Sequence, residues 1–175
     1  PHVRPGQLVV LNPGRTGGAF AFRHALLTAR PDVPLLVAET STFLYASRAL
    51  SRGEARIFRI KNSVRFATLP AYHIPDALPL LRRAFPPFAP GDSVLSTGME
   101  NIGAIFHPAL TLMNAGWIEA TQGDFDYYLD GITPSVARVL ERLDAERVAV
   151  AASLGVHAIS TREWLYLTYD SPGRD

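Results

Sequence analysis

The sequence predicts two consecutive regions of different fold class: an α/β region of parallel strands with helical crossovers, and then an all-α region. Three observations lead to this prediction. Short apolar runs alternate with helical patterns at the start of the chain, as strand–helix–strand connections require. The proline-rich segment 86–91 is not helical and marks a boundary. After it, apolar residues recur at helical spacing, so we place the α/β region at 1–92 and the helical region at 93–175.

The first elements follow from short apolar runs and the glycines beside them. Residues 7–11 form an apolar, β-branched run that predicts a buried strand, and a helix is expected from Gly18 to residue 30. A second buried strand is predicted at 35–38. We expect a second helix over 43–50, ended near Gly53.

Two alternating runs then predict a pair of strands with one polar face, at 55–60 and 64–69. They are separated by three residues, 61–63, which suggests that they pair with each other. A short helix is predicted over 75–85. The residues expected to face inward from this helix are Leu78, Leu80, Leu81 and Phe85.

The helical region contains two predicted helices, the first of which carries a histidine. Apolar residues at helical spacing run from Ile102 to Met113, and His107 falls on a different face. Thr133 followed by a proline predicts the start of a long second helix, because threonine caps helices and proline suits their first position. Its apolar stripe ends at Gly155. Arg147 interrupts the stripe, and a charge there must be paired or line a cleft.

Composition limits the class of protein. The chain is 47% hydrophobic and 19% charged, which fits a protein with a packed core. A net charge of +1 gives no electrostatic basis for binding nucleic acid or an anionic membrane. The lack of cysteine excludes disulfides and thiolate metal sites and is compatible with the cytoplasm, where we expect the protein to act. No apolar run approaches the ~20 residues of a membrane span, and the oligomeric state is left open.

His107 requires an explanation, because an ionisable ring in an apolar run is costly unless it is hydrogen-bonded or functional. One interpretation is a core histidine bonded to a carbonyl. The other is a catalytic acid or base, since histidine titrates near neutral pH. The remaining histidines show no metal-ligand spacing with one another, so we predict no metal site.

Several segments decide between these interpretations by their combined pattern. They are NIGAIFHP at 101–108, TLMNAGWIE at 111–119 and TPSV at 133–136, with DAER at 144–147. Together they resemble the octopine/nopaline (opine) dehydrogenase family. The earlier segments LNPGRTGG at 11–18, VAET at 37–40 and YASR at 45–48 also resemble that family. The resemblance covers essentially the whole chain.

The resemblance implies a fold and a reaction. Residues 1–92 would be the C-terminal part of an NAD(P)-binding Rossmann domain, and 93–175 the start of an all-helical substrate domain. The implied enzyme uses NADH or NADPH to condense an amino acid with an α-keto acid such as pyruvate. His107 would be the catalytic acid/base, with NAD or NADP as cofactor.

Other residues are also candidates for the site, each with a simpler alternative. Asn101 and Glu39 would bind substrate, although they could instead cap a helix and end a strand. Thr133 is first of all a helix-start residue that could also contact substrate, and Arg147 could pair with a substrate carboxylate or with an acidic residue on the same helix. For cofactor binding, the candidates at the end of the first strand are Asn12 and Gly14, which could otherwise form only a turn.

Some parts of the family pattern do not occur in the chain. We expect the Gly-x-Gly-x-x-Gly phosphate turn before residue 1, and an aspartate that orients the histidine beyond residue 175. The chain would then be an excerpt truncated at both ends and inactive alone. Gly103 stands where the family often has asparagine. The alternatives are a reductase related to ketopantoate reductase or glycerol-3-phosphate dehydrogenase, which would use Lys61, and a non-catalytic nucleotide-binding module.

Overall fold

The computed structural model describes residues 3–169, which form six strands and seven α-helices. The strands are β1 (Leu8–Leu11), β2 (Leu36–Thr40), β3 (Tyr45–Ser51), β4 (Glu54–Ile60), β5 (Val64–Leu69) and β6 (Phe88–Pro90). The helices are α1 (Gly18–Ala29), α2 (Ile74–Arg82), α3 (Val94–Met99), α4 (Gly103–Met113), α5 (Ala115–Thr121), α6 (Pro134–Ser153) and α7 (Thr161–Tyr169). The fold is therefore an α/β region followed by helices, as the sequence predicts.

The main sheet has four strands in the order β1-β2-β5-β6. β1 runs parallel to β2 with α1 as the crossover, and β5 runs parallel to β6 with α2 as the crossover. The two halves meet in an antiparallel pair between β2 and β5. The core of this region includes Val37, Phe66 and Phe88, which are nearly inaccessible to solvent. Burial of such side chains contributes about 1.5–3 kcal/mol each.

The prediction of a helix over 43–50 is wrong, because most of this segment belongs to strand β3. β3 pairs antiparallel with β4 in a separate two-stranded sheet, with Arg48 opposite Arg56. Gly53 has a φ of +88°, which suits the tight turn between the two strands. Pairing across that turn outweighs the moderate helix propensity of the alanine- and leucine-containing segment, and the two strands remain largely exposed.

The prediction that 55–60 and 64–69 pair with each other is also wrong. β4 pairs with β3, whereas β5 enters the main sheet between β2 and β6. Both faces of β5 are covered, since Val64, Phe66 and Ala67 are all buried. A strand covered on both faces stabilises the core more than an exposed hairpin partner, so burial decides the pairing.

The segment 86–91 is non-helical, as predicted, and contains strand β6, which completes the main sheet. One expectation for the preceding helix needs correction. In α2, which ends at Arg82, Leu78 is buried as expected but Leu80 is 58% exposed, and Phe85, beyond the end of the helix, is 38% exposed. Pro79 lies inside α2, and the helix presents Leu80 to solvent.

The helical region is held together by α4 and α6. Leu110 of α4 packs with Val136 and Leu140 of α6 in a second core. As predicted, α6 begins after Thr133, whose side chain accepts a hydrogen bond from the Val136 amide. Within residues 3–169, no helix is long and apolar enough to cross a membrane.

Candidate active site

A cavity of about 510 Å³ lies where the loops that follow β1 and β2 meet α4 and α7. Its lining includes His107 and Asn101, two of the residues that the sequence predicts for the site, together with Arg15, Lys61 and Tyr128. The cavity thus brings together residues from the sheet and from the helices. We identify it as the candidate active site.

His107 lies on the exposed side of α4 and faces this cavity. Its Nε2 atom lies 3.1 Å from the Tyr128 hydroxyl oxygen, and the Tyr127 hydroxyl donates to the His107 carbonyl at 3.1 Å. The Tyr128 ring packs edge-on against Phe106, with centroids 6.3 Å apart. Burial raises the pKa of Tyr128, so its hydroxyl stays protonated near neutral pH. These contacts orient an imidazole that remains accessible to a ligand, and the core-histidine interpretation does not fit.

Asn101 precedes α4 and joins the helices to the loop after β1. Its side-chain amide donates to Thr16 Oγ1 at 3.1 Å, and its oxygen accepts from Arg15 Nη1 at 3.4 Å. The Thr16 hydroxyl in turn donates to the Gly98 carbonyl. Asn101 makes no side-chain capping bond to α4, so the helix-cap alternative is not what the structure shows. Its role in substrate binding stays a prediction.

At position 103 this chain has glycine where the family often has asparagine, and the structure shows which side chain lies in that space. The glycine lies one helical turn before His107 in α4. A Cβ atom there would lie 3.0 Å from Arg15 Nη1 and 3.4 Å from His107 Nδ1. The Arg15 guanidinium therefore approaches the space that a side chain would otherwise occupy next to the imidazole.

Lys61, the residue on which the alternative reductase would depend, also lines this cavity. It is only 5% exposed, and its ammonium donates to Thr42 Oγ1 at 2.6 Å. The Nζ atom lies 5.4 Å from the centroid of the Trp164 ring and 5.9 Å from that of Tyr169. Burial, and secondarily the charge of Arg15, lower the pKa of Lys61 to about 8. As the chain's only lysine, it is also the only residue that the sequence offers for the catalytic lysine of that reductase.

Glu39 does not lie in the cavity, contrary to the prediction that it binds substrate. It is 1% exposed, and its carboxylate accepts from the Ala19 amide at 2.9 Å and from the Thr97 hydroxyl at 2.6 Å. Burial raises the pKa of Glu39, and the two hydrogen bonds oppose that rise. The carboxylate holds α1 and α3 against the sheet, because each oxygen is bonded to one of these helices. Its role is structural.

Asn12 and Gly14, the predicted cofactor-binding residues, follow β1 at the carboxyl edge of the sheet. Asn12 is exposed, and its side-chain oxygen accepts from the Thr40 hydroxyl at 2.9 Å. Gly14 is buried over Glu39, and a Cβ at Gly14 would lie 2.0 Å from Glu39 Oε2. Neither residue lines the cavity, and their contact with a cofactor stays a prediction.

The structure does not support a substrate contact by Arg147. Its guanidinium bonds Asp144 Oδ1 from two nitrogens at 2.9 and 2.7 Å. The remaining donors reach the carbonyls of Met99 and Ile159, each at 2.6 Å. The side chain is 8% exposed, so this charge is paired within the protein and joins α3, α6 and the segment before α7.

Thr133 caps α6 and does not line the cavity, although its neighbour Ile132 does. The simpler interpretation of Thr133 as a helix cap is therefore the one that the structure shows. Among residues 3–169, no group of three or more histidine, aspartate or glutamate side chains is arranged to hold a metal ion.

Comparison with known proteins gives a consistent result. Residues 90–175 match the family described as NAD/NADP octopine/nopaline dehydrogenase, alpha-helical domain. The chain is 38% identical over 169 residues to the opine dehydrogenase of Arthrobacter sp. (strain 1C). The aligned residues cover 96% of the chain and 46% of that protein. The chain thus spans about half the length of this relative.

Solved structures of two dehydrogenases share the fold. Octopine dehydrogenase with NADH and L-arginine superposes with a TM-score of 0.68 at 18% identity, covering 100% of the chain and 46% of that protein. Yersinopine dehydrogenase with NADP+ gives a TM-score of 0.67 at 16% identity, covering 91% of the chain and 40% of that protein.

Proposed function

Because the chain belongs to the octopine/nopaline (opine) dehydrogenase family, we propose that it forms part of an NAD(P)H-dependent oxidoreductase. The reaction would condense the amine of an amino acid with an α-keto acid such as pyruvate and reduce the resulting imine. The observation that carries this proposal is the position of His107. It stands in a cavity formed by both regions of the chain, and Tyr128 orients it.

The two regions on either side of the predicted boundary would have different roles in the enzyme. Residues 1–92 would be the end of the NAD(P)-binding domain and 93–175 the start of the substrate domain. In open α/β sheets, nucleotides bind beyond the carboxyl ends of the strands. Asn12 fits that position because it follows β1 and stays exposed, whereas Gly14 is packed on Glu39 and offers only its backbone. The cofactor, when bound, supplies the hydride.

The chain's own residues would manage the proton and orient the substrate. Loss of the keto oxygen as water requires a proton donor, and histidine is suited to this role near neutral pH. The Tyr128 hydroxyl fixes the His107 ring at Nε2. Asn101 and Arg15, bonded to each other, present an amide and a guanidinium to the same cavity. These are the groups that would polarise and hold a carbonyl substrate.

The test is oxidation of NADH and NADPH by a protein of the relatives' length that contains this chain, supplied with a panel of amino acids and α-keto acids. We expect turnover that requires both co-substrates. His107→Ala should reduce kcat by about 10²-fold or more, since general acid–base catalysis contributes 10²–10⁴-fold. His24→Ala, on the exposed surface of α1, is the matched control and should leave turnover unchanged. Absence of turnover with every pair, despite tight cofactor binding, would instead support the non-catalytic nucleotide-binding module.

The location of Lys61 keeps one alternative function open to test. A reductase related to ketopantoate reductase or glycerol-3-phosphate dehydrogenase would depend on a lysine, and Lys61 lines the same cavity as His107. In that enzyme, Lys61→Ala would abolish kcat on a keto substrate without an amino acid, whereas His107→Ala would be tolerated. The opine dehydrogenase proposal requires the reverse dependence of kcat on His107.

A further inference from the structure

The cavity lining carries more positive than negative charge. Arg15 and Lys61 contribute two cations, and among the described residues no aspartate or glutamate lines the cavity. Arg15 bonds only a neutral amide oxygen, that of Asn101 at 3.4 Å, and lies over the Phe43 ring at 5.4 Å. A site whose described residues include two cations and no carboxylate favours an anionic ligand.

Lys61 is buried, whereas Arg15 is exposed, so the charge of Lys61 has the greater need of a partner. A lysine ammonium has three N–H donors, and one of them is directed to Thr42 Oγ1. The ring centroids of Trp164 and Tyr169 lie 5.4 and 5.9 Å from Nζ, and aromatic faces attract a cation only weakly compared with an anion. A buried ammonium without an anionic partner is costly, and such charges are retained in proteins where a ligand completes the pairing.

We propose that Lys61 binds the carboxylate of the α-keto acid substrate, with the hydroxyl of Thr42 fixing its position and Arg15 supplying a second positive charge. This inference rests on the proposed function and names the residue that would recognise one of its two substrates. A carboxylate can accept from both cations, because each of its oxygens has two lone pairs. Anchoring it at Lys61 would keep the keto group within the cavity that also contains His107.

Carboxylate binding at Lys61 should depend on pH. Only the ammonium form of Lys61 can pair with the carboxylate, and burial lowers its pKa to about 8. Carboxylate binding should therefore weaken as pH rises above about 8. The other titratable or charged groups facing the same cavity are Arg15, Tyr45, His107, Tyr128 and Tyr169. Burial raises the pKa values of Tyr128 and Tyr169, so these two do not lose a proton in this range.

The experiment uses oxalate as the probe, titrated calorimetrically into the full-length protein saturated with its reduced cofactor. We expect Lys61→Met to weaken oxalate binding at pH 7 by 10-fold or more, because methionine keeps the stem and removes the charge. Thr42→Val, which keeps the charge but removes its acceptor, should weaken it about 3-fold. Arg83→Met, at an exposed position after α2, is the matched control and should bind oxalate like the wild type. Cofactor affinity should be the same in all four proteins.

Two results would overturn the inference. One is an unchanged oxalate affinity in Lys61→Met, and the other is a wild-type affinity that is the same at pH 7 and pH 9.5. If Lys61→Met does not fold, the pH series on the wild type and Thr42→Val still decide the matter. Because oxalate binding is measured without turnover, a protein that binds oxalate through Lys61 but reduces no imine would contradict the proposed function alone. If turnover is found, Lys61→Met should raise KM for pyruvate more than KM for the amino acid.

Discussion

The Tyr128 hydroxyl oxygen lies 3.1 Å from Nε2 of His107, although 21 residues separate the two in the sequence. Tyr128 belongs to the segment between α5 and α6, whereas His107 belongs to α4. Nothing in the local sequence of either residue indicates this contact. It is nevertheless the contact that gives the candidate catalytic imidazole a fixed orientation in the cavity.

Tyr128→Phe should therefore impair catalysis without unfolding the protein. It removes one hydrogen bond to the imidazole and keeps the edge-on packing on Phe106, so we expect kcat to fall about 5- to 30-fold, equivalent to roughly 1–2 kcal/mol. Tyr72→Phe is the control, since Tyr72 is 73% exposed. An unaltered kcat in Tyr128→Phe would show that this contact does not serve the reaction.

Gly14→Ala should destabilise the fold strongly. The added methyl group would stand 2.0 Å from Glu39 Oε2, and Glu39 is fixed by the Ala19 amide and the Thr97 hydroxyl. Overpacking and the loss of these buried bonds together should cost about 3 kcal/mol or more in the free energy of unfolding, measured by denaturant titration. Gly116→Ala is the matched control, because no atom lies within 4 Å of a Cβ there. It should leave stability unchanged or raise it slightly, since alanine suits a helix better than glycine.

Arg147→Met should separate a structural role from a substrate contact. The change leaves Asp144 buried with only the Thr161 amide and hydroxyl as partners. Removing one member of a buried ion pair typically costs about 3–5 kcal/mol. We expect that loss in the free energy of unfolding, with KM values for both substrates unchanged in the folded protein. Arg142→Met, at an exposed position on the same helix, should change neither the free energy of unfolding nor the KM values. A rise in KM with normal stability would restore the substrate-binding interpretation of Arg147.

Glu100 should make stability depend on pH. It is 2% exposed at the end of α3, and burial raises its pKa to about 7 although Arg65 Nη1 lies 2.9 Å from its Oε1 atom. Between pH 4.5 and 7 the folded protein then binds more protons at this group than the unfolded chain. Stability from this group is therefore present below pH 4.5 and is lost as pH rises through about 7, by an amount on the order of 3 kcal/mol.

Unfolding free energies of the wild type and Glu100→Gln at pH 5 and pH 7.5 measure this effect. The wild type should lose stability over that interval, and the variant should lose less. Glu119→Gln, at an exposed position in α5, is the control and should follow the wild type. Parallel pH curves for all three proteins would mean that Arg65 keeps Glu100 ionised throughout.

Local patterns in the sequence were sufficient for several elements of the fold. The apolar runs predicted β1 and β2, and Thr133 with its following proline predicted the start of α6. These elements are specified by residues close together in the chain, through apolar periodicity and capping. His107 was a candidate from the sequence as well, through the family resemblance of the segments around it, because its position in an apolar run alone left the core-histidine interpretation open.

Tertiary structure decided what depends on residues far apart in sequence. The segment 45–51 forms a strand because β4 pairs with it. β5 pairs with β2 and not with β4, its neighbour in sequence, because the main sheet buries both faces of β5. A charged side chain that looks functional in sequence can also be used for structural hydrogen bonds inside the fold, as Glu39 is with the Ala19 amide and the Thr97 hydroxyl. Lys61 shows the opposite case, a charge that the fold buries beside the cavity without an acidic partner among the described residues. The sequence therefore determined the periodic elements and the candidate acid/base. The structure determined which charges are paired, because pairing and desolvation depend on distances that the sequence does not contain.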